Sequence, residues 1–321
     1  MKTKNDFEIL PETKAEVEGK PRPAGDYLPD YYKTLGKGKA ELLGIKTGFD
    51  KLDRATLGLD GLIVLGGMPG AGKTSLALQL AFSASDLGTP TLFYSLEMPR
   101  RAILTKILNR LTHIRYTDLL LKGGDPQLLS DKQNELTTGK KLLEAIGKKF
   151  YIRSRESQEA EINFEIVEQE INFVKAGHKA ERVFVAIDHL QVFDPGQARD
   201  QLDKENKLIT GFKGISERTG ATILLISQKS KMGFKQKDMM GIKGSVDIVY
   251  LADVVMTLES DSEQLGETPG GADYDAIINV FGGGQVKPLD LLIVKNRYNA
   301  PGLIKLDFLG EYSEFKERTK E

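Results

Sequence analysis

Eight residues carry the clearest chemical signal in this chain: Gly67-Met-Pro-Gly-Ala-Gly-Lys-Thr74 sets three glycines, a lysine and a hydroxyl at fixed spacing. An apolar run over residues 62–65 precedes them and Ser75-Leu-Ala-Leu-Gln-Leu-Ala81 follows, so the pattern reads as strand, loop and helix. In that order the glycines let backbone N–H groups converge on phosphate oxygens at the positive end of the helix. The expected cradle is Gly67, Met68, Pro69, Gly70, Ala71, Gly72, Lys73, Thr74 and Ser75. Lys73 would reach the β- and γ-phosphates, and the Thr74 hydroxyl would ligate a bridging magnesium ion. Such patterns recur by chance, but the buried strand before this one and the amphipathic helix after it are what the phosphate chemistry requires.

Three more apolar runs end in groups suited to the same chemistry. Val183-Phe-Val-Ala-Ile-Asp188 delivers a carboxylate to the carboxyl edge of a parallel sheet, where ligands bind, and Asp188 would orient the magnesium, partly through water. Leu92-Phe-Tyr-Ser-Leu-Glu97 ends in a second carboxylate. Glu97 is either the base that polarises an attacking water or the ion-pair partner of Arg100 or Arg101. Ile223-Leu-Leu-Ile-Ser-Gln228 ends in a neutral amide, which can donate to a γ-phosphate without titrating and so report its presence. Beyond it Lys229, Lys231, Lys235, Lys237 and Lys243 face one acid, Asp238. Such a loop suits a phosphate backbone, although charge runs are more often plain solvated surface.

The elements that must position these groups are legible as an alternation. Strand candidates at 62–65, 91–96, 150–153, 183–188, 222–227, 254–258 and 289–294 are separated by helical stripes. Ile103, Ile107 and Leu111 form one, Val167, Ile171 and Val174 a second, and Leu208, Phe212 and Ile215 a third. This predicts an α/β fold, a doubly wound and mostly parallel sheet with helices on both faces. Residues 1–26 are charged and proline-punctuated, a flexible tail. Residues 27–43 hold a short helix with Pro29 in its first turn and a glycine-rich connection. The main domain spans 44–321, interrupted at 260–288 by acidic and glycine-rich sequence that reads as a long hairpin or mobile loop.

Composition narrows the function. Lys plus Arg total 45 against 46 for Asp plus Glu, a formal charge of −1, so any nucleic-acid contact must be local rather than molecule-wide. Cysteine is absent, which excludes disulfides and thiolate chemistry, and the three histidines lack metal-ligand spacing. No run is long and apolar enough to span a bilayer and no signal peptide opens the chain, so a cytoplasmic protein with no membrane contact is expected.

Taken together these residues resemble the ATPase domain of DnaB-type replicative helicases, a P-loop NTPase with the RecA-like fold. The resemblance runs from Gly44 to about Phe315. It rests on Thr47-Gly-Phe-Asp-Lys-Leu-Asp53, the phosphate loop, Ser95-Leu-Glu-Met-Pro99, Ile187-Asp-His-Leu-Gln191, Ser227-Gln228 and Lys295-Asn-Arg297. It implies ATP and Mg2+ as ligands, Glu97 as catalytic base, Asp188 at the magnesium and Gln228 as sensor. It also implies that Lys295 and Arg297 act on the nucleotide of an adjacent subunit, and that the helix near Pro29 docks on a neighbour in a ring, expected to be a hexamer. Three departures stand out. Residues 1–26 do not resemble the family's N-terminal collar, which puts primase partnership in doubt. His189 stands where tyrosine is common, and Lys243-Gly-Ser-Val246 replaces Arg-Glu-Ser-Gly.

The resulting expectation is an ATP-driven, ring-forming helicase that moves on single-stranded DNA in replication, with a helicase loader as a further partner. The competing reading is a regulatory or recombination-mediator ATPase without unwinding activity. The basic loop favours the first and the near-neutral charge the second. A phosphotransferase lacks an acceptor-binding signature.

Overall fold

The structure is a computed structural model and describes residues 23–34, 42–120, 126–154, 156, 162–190, 193–227, 250–261 and 286–319. The chain divides into two units, Met1–Glu41 and Leu42–Glu321. The described part of the first is a 3-10 turn, Ala24–Tyr27, running into helix α1, Leu28–Thr34. Pro29 sits in the first turn of α1, where its fixed φ fits and its missing N–H costs nothing.

The second unit opens with α2 (Asp50–Thr56), then alternates β1 (Leu62–Gly67), α3 (Lys73–Asp86), β2 (Thr91–Ser95) and α4 (Arg100–Thr112). Short helices α5 (Tyr116–Leu120) and α6 (Pro126–Asp131) lead to α7 (Gln133–Ile146) and β3 (Phe150–Ser154). Then come α8 (Phe164–His178), β4 (Phe184–Asp188), α9 (Gln201–Thr219) and β5 (Thr222–Ile226). The chain ends in β6 (Val254–Ser260), β7 (Val286–Asn296), β8 (Gly302–Leu309) and β9 (Glu314–Glu317). Among the described residues the strands form one sheet in the order β3-β2-β4-β5-β1-β6-β7-β8-β9. From β3 to β6 every neighbouring pair is parallel, and from β6 to β9 every pair is antiparallel.

The side-chain period of two sends alternate strand residues to opposite faces. Ile63, Leu65, Phe93, Phe184, Ala186, Leu224 and Ile226 pack on one face under α3, α4 and α7, through Leu76, Leu80, Ile103, Ile107 and Ile146. Leu62, Val64, Leu92, Tyr94, Val185, Ile187, Ile223 and Leu225 pack on the other under α8 and α9, through Val167, Ile171, Val174, Leu208, Phe212 and Ile215. Both faces are covered, which is why these strands read as continuous apolar runs rather than alternating ones. The doubly wound, mostly parallel sheet is as the sequence predicts.

The antiparallel extension differs from the sequence reading, which stops at a strand over 289–294. β7 is longer, and β8 and β9 follow. In β8 only Ile304, Leu306 and Phe308 turn inward, so its signal is an alternation diluted by the exposed Leu303. This extension braces the phosphate loop. Phe308 stacks on Phe315 with ring centroids 4.4 Å apart. Gln79 of α3 clasps the Phe315 backbone in both directions, donating to its carbonyl at 2.9 Å and accepting from its N–H at 2.8 Å. Ser260 of β6 pairs with Leu289 of β7, so the acidic and glycine-rich segment joins two antiparallel neighbours. Residues 262–285, most of the segment read as a long hairpin or mobile loop, lie outside the described residues.

Candidate functional site

The phosphate loop sits where β1 hands over to α3. Gly67, Gly70 and Gly72 take φ of 154°, 76° and 93°, values that disfavour any side chain. At Gly72 there is also no room, because a Cβ would lie 2.9 Å from the Phe315 ring. Gly72 is the N-cap of α3 and supplies no capping side chain, so the first N–H groups of this 14-residue helix keep their donor capacity for an anion. Lys73 lies across the loop, its ammonium donating to the carbonyls of Gly67 at 2.9 Å and Met68 at 2.7 Å. Burial lowers the pKa of Lys73, and the negative charges of Asp188 and Glu97 oppose that shift.

Two carboxylates reach the same edge because β2 and β4 are parallel neighbours in register, with Ser95 opposite Asp188. The Leu96 N–H donates to the Asp188 carbonyl at 2.7 Å, tying the two strand ends together. The Ser95 hydroxyl donates to the Met98 carbonyl at 2.7 Å and Pro99 caps α4, so Ser95-Leu-Glu-Met-Pro99 is a tight turn presenting Glu97. Asp188 is 1% exposed. Burial raises its pKa and Glu97 adds to the effect, while a hydrogen bond with Thr74 and the charges of His189 and Lys73 pull it back. Its Oδ2 is buried and has no hydrogen-bond partner. An orphaned anionic oxygen beside a threonine hydroxyl is the donor set a hard divalent cation takes, so the residues fit magnesium.

Glu97 is half exposed and meets His189, whose Nδ1 lies 3.1 Å from Glu97 Oε1. His189 Nδ1 is buried and makes no hydrogen bond there. The Asp188–His189 peptide is cis. Sequence reasoning registered His189 only as a departure from a pattern and missed Lys106 altogether. Lys106 projects from α4, with Nζ 3.3 Å from the Ser75 hydroxyl and 5.3 Å above the Tyr116 ring. Burial lowers its pKa and Asp188 raises it, which puts a second lysine in the field of the buried aspartate.

β5 runs between β1 and β4, so its end at Ser227 falls between the phosphate loop and Asp188. The Ser227 N–H donates to the Leu65 carbonyl at 2.9 Å. Gln228 itself, and Lys229, Lys231, Lys235, Lys237 and Lys243, lie outside the described residues.

Lys295 and Arg297 are at the opposite edge of the sheet. β7 is antiparallel to β6, so its end returns to the level where β1 begins, with Asn296 opposite Val254 and Val254 opposite Ile63. Lys295 is level with Val64 and Arg297 lies beyond Ile63, so three to five residue steps at about 3.3 Å and two strand spacings of about 4.8 Å put roughly 14 to 19 Å between the backbone of these cations and Gly67 of the same chain. Lys295 donates to the carbonyls of Tyr250 at 2.8 Å and Ala252 at 2.7 Å. Burial lowers its pKa, and the neighbouring charge of Arg297 lowers it further. Arg297 keeps its guanidinium largely exposed while Nη1 meets Asp253 Oδ1 at 2.5 Å.

A family model described as the DnaB-like helicase C-terminal domain matches residues 44–317. The chain belongs to that family. Among its curated relatives the replicative DNA helicase DnaB of Helicobacter pylori strain 26695 is 24% identical over 311 residues, covering 88% of this chain and 61% of the relative. The replicative DNA helicase DnaC of Bacillus subtilis is 25% identical over 295 residues, covering 89% and 59%. The chain thus spans about three-fifths of the relatives it matches. Among solved structures, one described as an ATPase domain has a TM-score of 0.75 at 19% identity, covering 92% of this chain and 99% of that one. A DnaB-like replicative helicase solved with attention to its primase interactions has a TM-score of 0.74 at 20% identity, covering 92% and 67%. The RecA-like fold is therefore shared with these structures.

Some DnaB-like fragments serve the fold rather than the chemistry. In Thr47-Gly-Phe-Asp-Lys-Leu-Asp53 the Thr47 N–H and hydroxyl both donate to Asp53 Oδ1, at 2.9 and 2.8 Å, closing the turn into α2. In Lys295-Asn-Arg297 the middle residue donates from Nδ2 to the Ala55 carbonyl at 2.8 Å, fixing β7 against α2.

Proposed function

We propose that this chain is the motor part of a ring-forming DNA helicase, hydrolysing ATP at its subunit interfaces and moving along single-stranded DNA. The observation that carries the reading is the division of labour between the two sheet edges. The phosphate cradle, Thr74, Asp188 and Glu97 gather at the carboxyl edge, while Lys295 and Arg297 are held at the other, roughly 14 to 19 Å from Gly67. Cations so far from their own phosphate loop serve hydrolysis only if a neighbouring subunit presents its nucleotide to them, which makes a closed ring the economical assembly.

In this account the glycine cradle and the α3 N-terminus bind the phosphates, and Lys73 moves from the loop carbonyls to the β- and γ-phosphates. Thr74 and Asp188 would hold magnesium, which when bound draws charge from the phosphate oxygens. Glu97 accepts the proton of the attacking water, and His189 lies against its carboxylate. Gln228 senses the γ-phosphate at the end of β5. Lys295 and Arg297 stabilise charge on the neighbour's γ-phosphate. The lysines at 229, 231, 235, 237 and 243 track the DNA backbone in step with Gln228. A helicase loader would place such a ring on DNA. The family relationship and the relatives' names support a role in replication.

The test is steady-state ATP hydrolysis with and without single-stranded DNA, at a concentration where assembly is demonstrated, with Lys73→Ala as the blank. Stimulation by DNA supports the motor. A rate indifferent to DNA in assembled protein supports the regulatory ATPase that the near-neutral charge of −1 would suit.

A further inference from the structure

Arg297 does not stand free at the sheet edge. Its backbone N–H donates to the Asp253 carbonyl at 2.9 Å, and its guanidinium meets the Asp253 carboxylate. Asp253, immediately before β6, is 1% exposed, whereas the Arg297 side chain is 58% exposed. The second carboxylate oxygen is fully committed elsewhere. Oδ2 accepts from the Lys213 ammonium of α9 at 2.7 Å and from the Leu62 N–H, at the start of β1, at 2.8 Å. The Asp253 N–H returns a bond to the Leu62 carbonyl at 2.7 Å. Gly61 makes room for this, with φ of +74° and a position where a Cβ would lie 2.1 Å from Oδ2. Lys295 is tied to the same short segment through the carbonyls of Tyr250 and Ala252. Beside it opens a cavity of about 570 Å3 whose walls include Lys213, Asp253, Arg297 and Tyr298.

We infer that Asp253 is the positioning residue for the cations that act on the neighbour's nucleotide: locked from behind by Lys213 and the β1 backbone, its carboxylate aims Arg297 out of the sheet edge. The inference rests on the interface reading above and deepens it. A guanidinium has five donors, so one bond to Asp253 leaves the rest of the fork for a phosphate. Without the anchor, a long exposed side chain would lose rotamer entropy on every engagement. A purely structural ion pair would not need its arginine exposed.

Two complementation pairs test it. Glu97→Gln damages the nucleotide-holding half of an interface, and Arg297→Ala the half that reaches in. Mixed with each other they form some intact interfaces and recover hydrolysis, which is the control for the interface reading itself. Asp253→Asn is isosteric and keeps an acceptor for the Leu62 N–H. It is expected to bind nucleotide with unchanged affinity and to lose about 100-fold in kcat with little change in KM, the scale of an ångström of misplacement. Mixed with Glu97→Gln it recovers, and mixed with Arg297→Ala it does not. Lys213→Met, altering a less buried partner, is expected to repeat that pattern with a smaller loss and covers the case in which Asp253→Asn fails to fold. Recovery of either variant with Arg297→Ala but not with Glu97→Gln overturns the inference while leaving the interface reading intact. Failure of the control pair in mixed assemblies overturns both.

Discussion

In the proposed reaction Glu97 is the residue on which hydrolysis turns, and its surroundings are decided by contacts far apart in sequence. It is half exposed on a turn built by Ser95 and Pro99, while Asp188 behind it is buried with one oxygen unpartnered. Glu97→Gln removes the proposed proton acceptor and leaves the phosphate cradle alone. The expected result is a loss of roughly 100- to 10,000-fold in kcat with nucleotide affinity retained, read by single-turnover hydrolysis beside equilibrium binding. The net shift at Asp253 is opposite to that at Asp188. Burial alone would raise its pKa, but the bonds and charge of Lys213, the Leu62 N–H and Arg297 outweigh it and hold the pKa below the ordinary value. A carboxylate with a depressed folded pKa adds stability above the unfolded pKa and loses it as pH falls through the folded one. The melting temperature of the wild type should therefore exceed that of Asp253→Asn by a constant margin near neutrality. The margin should shrink below a pH of roughly 4. A margin independent of pH down to acid unfolding would show that the charge contributes nothing. Asp253 was not legible in the sequence: one acid before an apolar run has no motif, and its partners Leu62, Lys213 and Arg297 lie 191, 40 and 44 residues away.

At the level of elements, burial on both faces made β1, β2, β4 and β5 readable, because each is a short unbroken apolar run ending in a polar group. The same reasoning missed α7, in which only Gly139 and Ile146 are buried and the apolar stripe is accordingly thin. It also missed β8 and β9, whose inward residues are few and whose role is to support a loop more than 200 residues earlier. That support makes a measurable claim. Phe315 is 2% exposed, stacks on Phe308 and fills the space against Gly72. Phe315→Ala should cost about 3 to 5 kcal/mol of stability and lower the melting temperature by several degrees. The variant should also bind nucleotide more weakly, since the cavity opens beside the phosphate loop. Thermal melts together with nucleotide titrations separate the two effects, and unchanged affinity in a destabilised protein would deny the bracing role.

For the whole molecule, the alternation of strands and helices gave away the architecture, whereas the relation between the two sheet edges emerges only from strand order. With a net charge of −1, the proposed DNA contact falls to the lysines following Gln228. Replacing Lys229, Lys231 and Lys243 together by alanine should weaken single-strand binding and reduce the slope of log affinity against log salt by about 2, at ~0.7 per neutralised phosphate. Nucleotide binding should be unchanged. An identical salt slope would place the DNA contact elsewhere. The proposed motor joins both edges and the basic loop, and ATP-driven strand separation of a forked DNA duplex tests it most directly. Separation should require ATP and disappear in Lys73→Ala and in Arg297→Ala. Assembled protein that binds the fork and hydrolyses ATP yet leaves the duplex intact would contradict it.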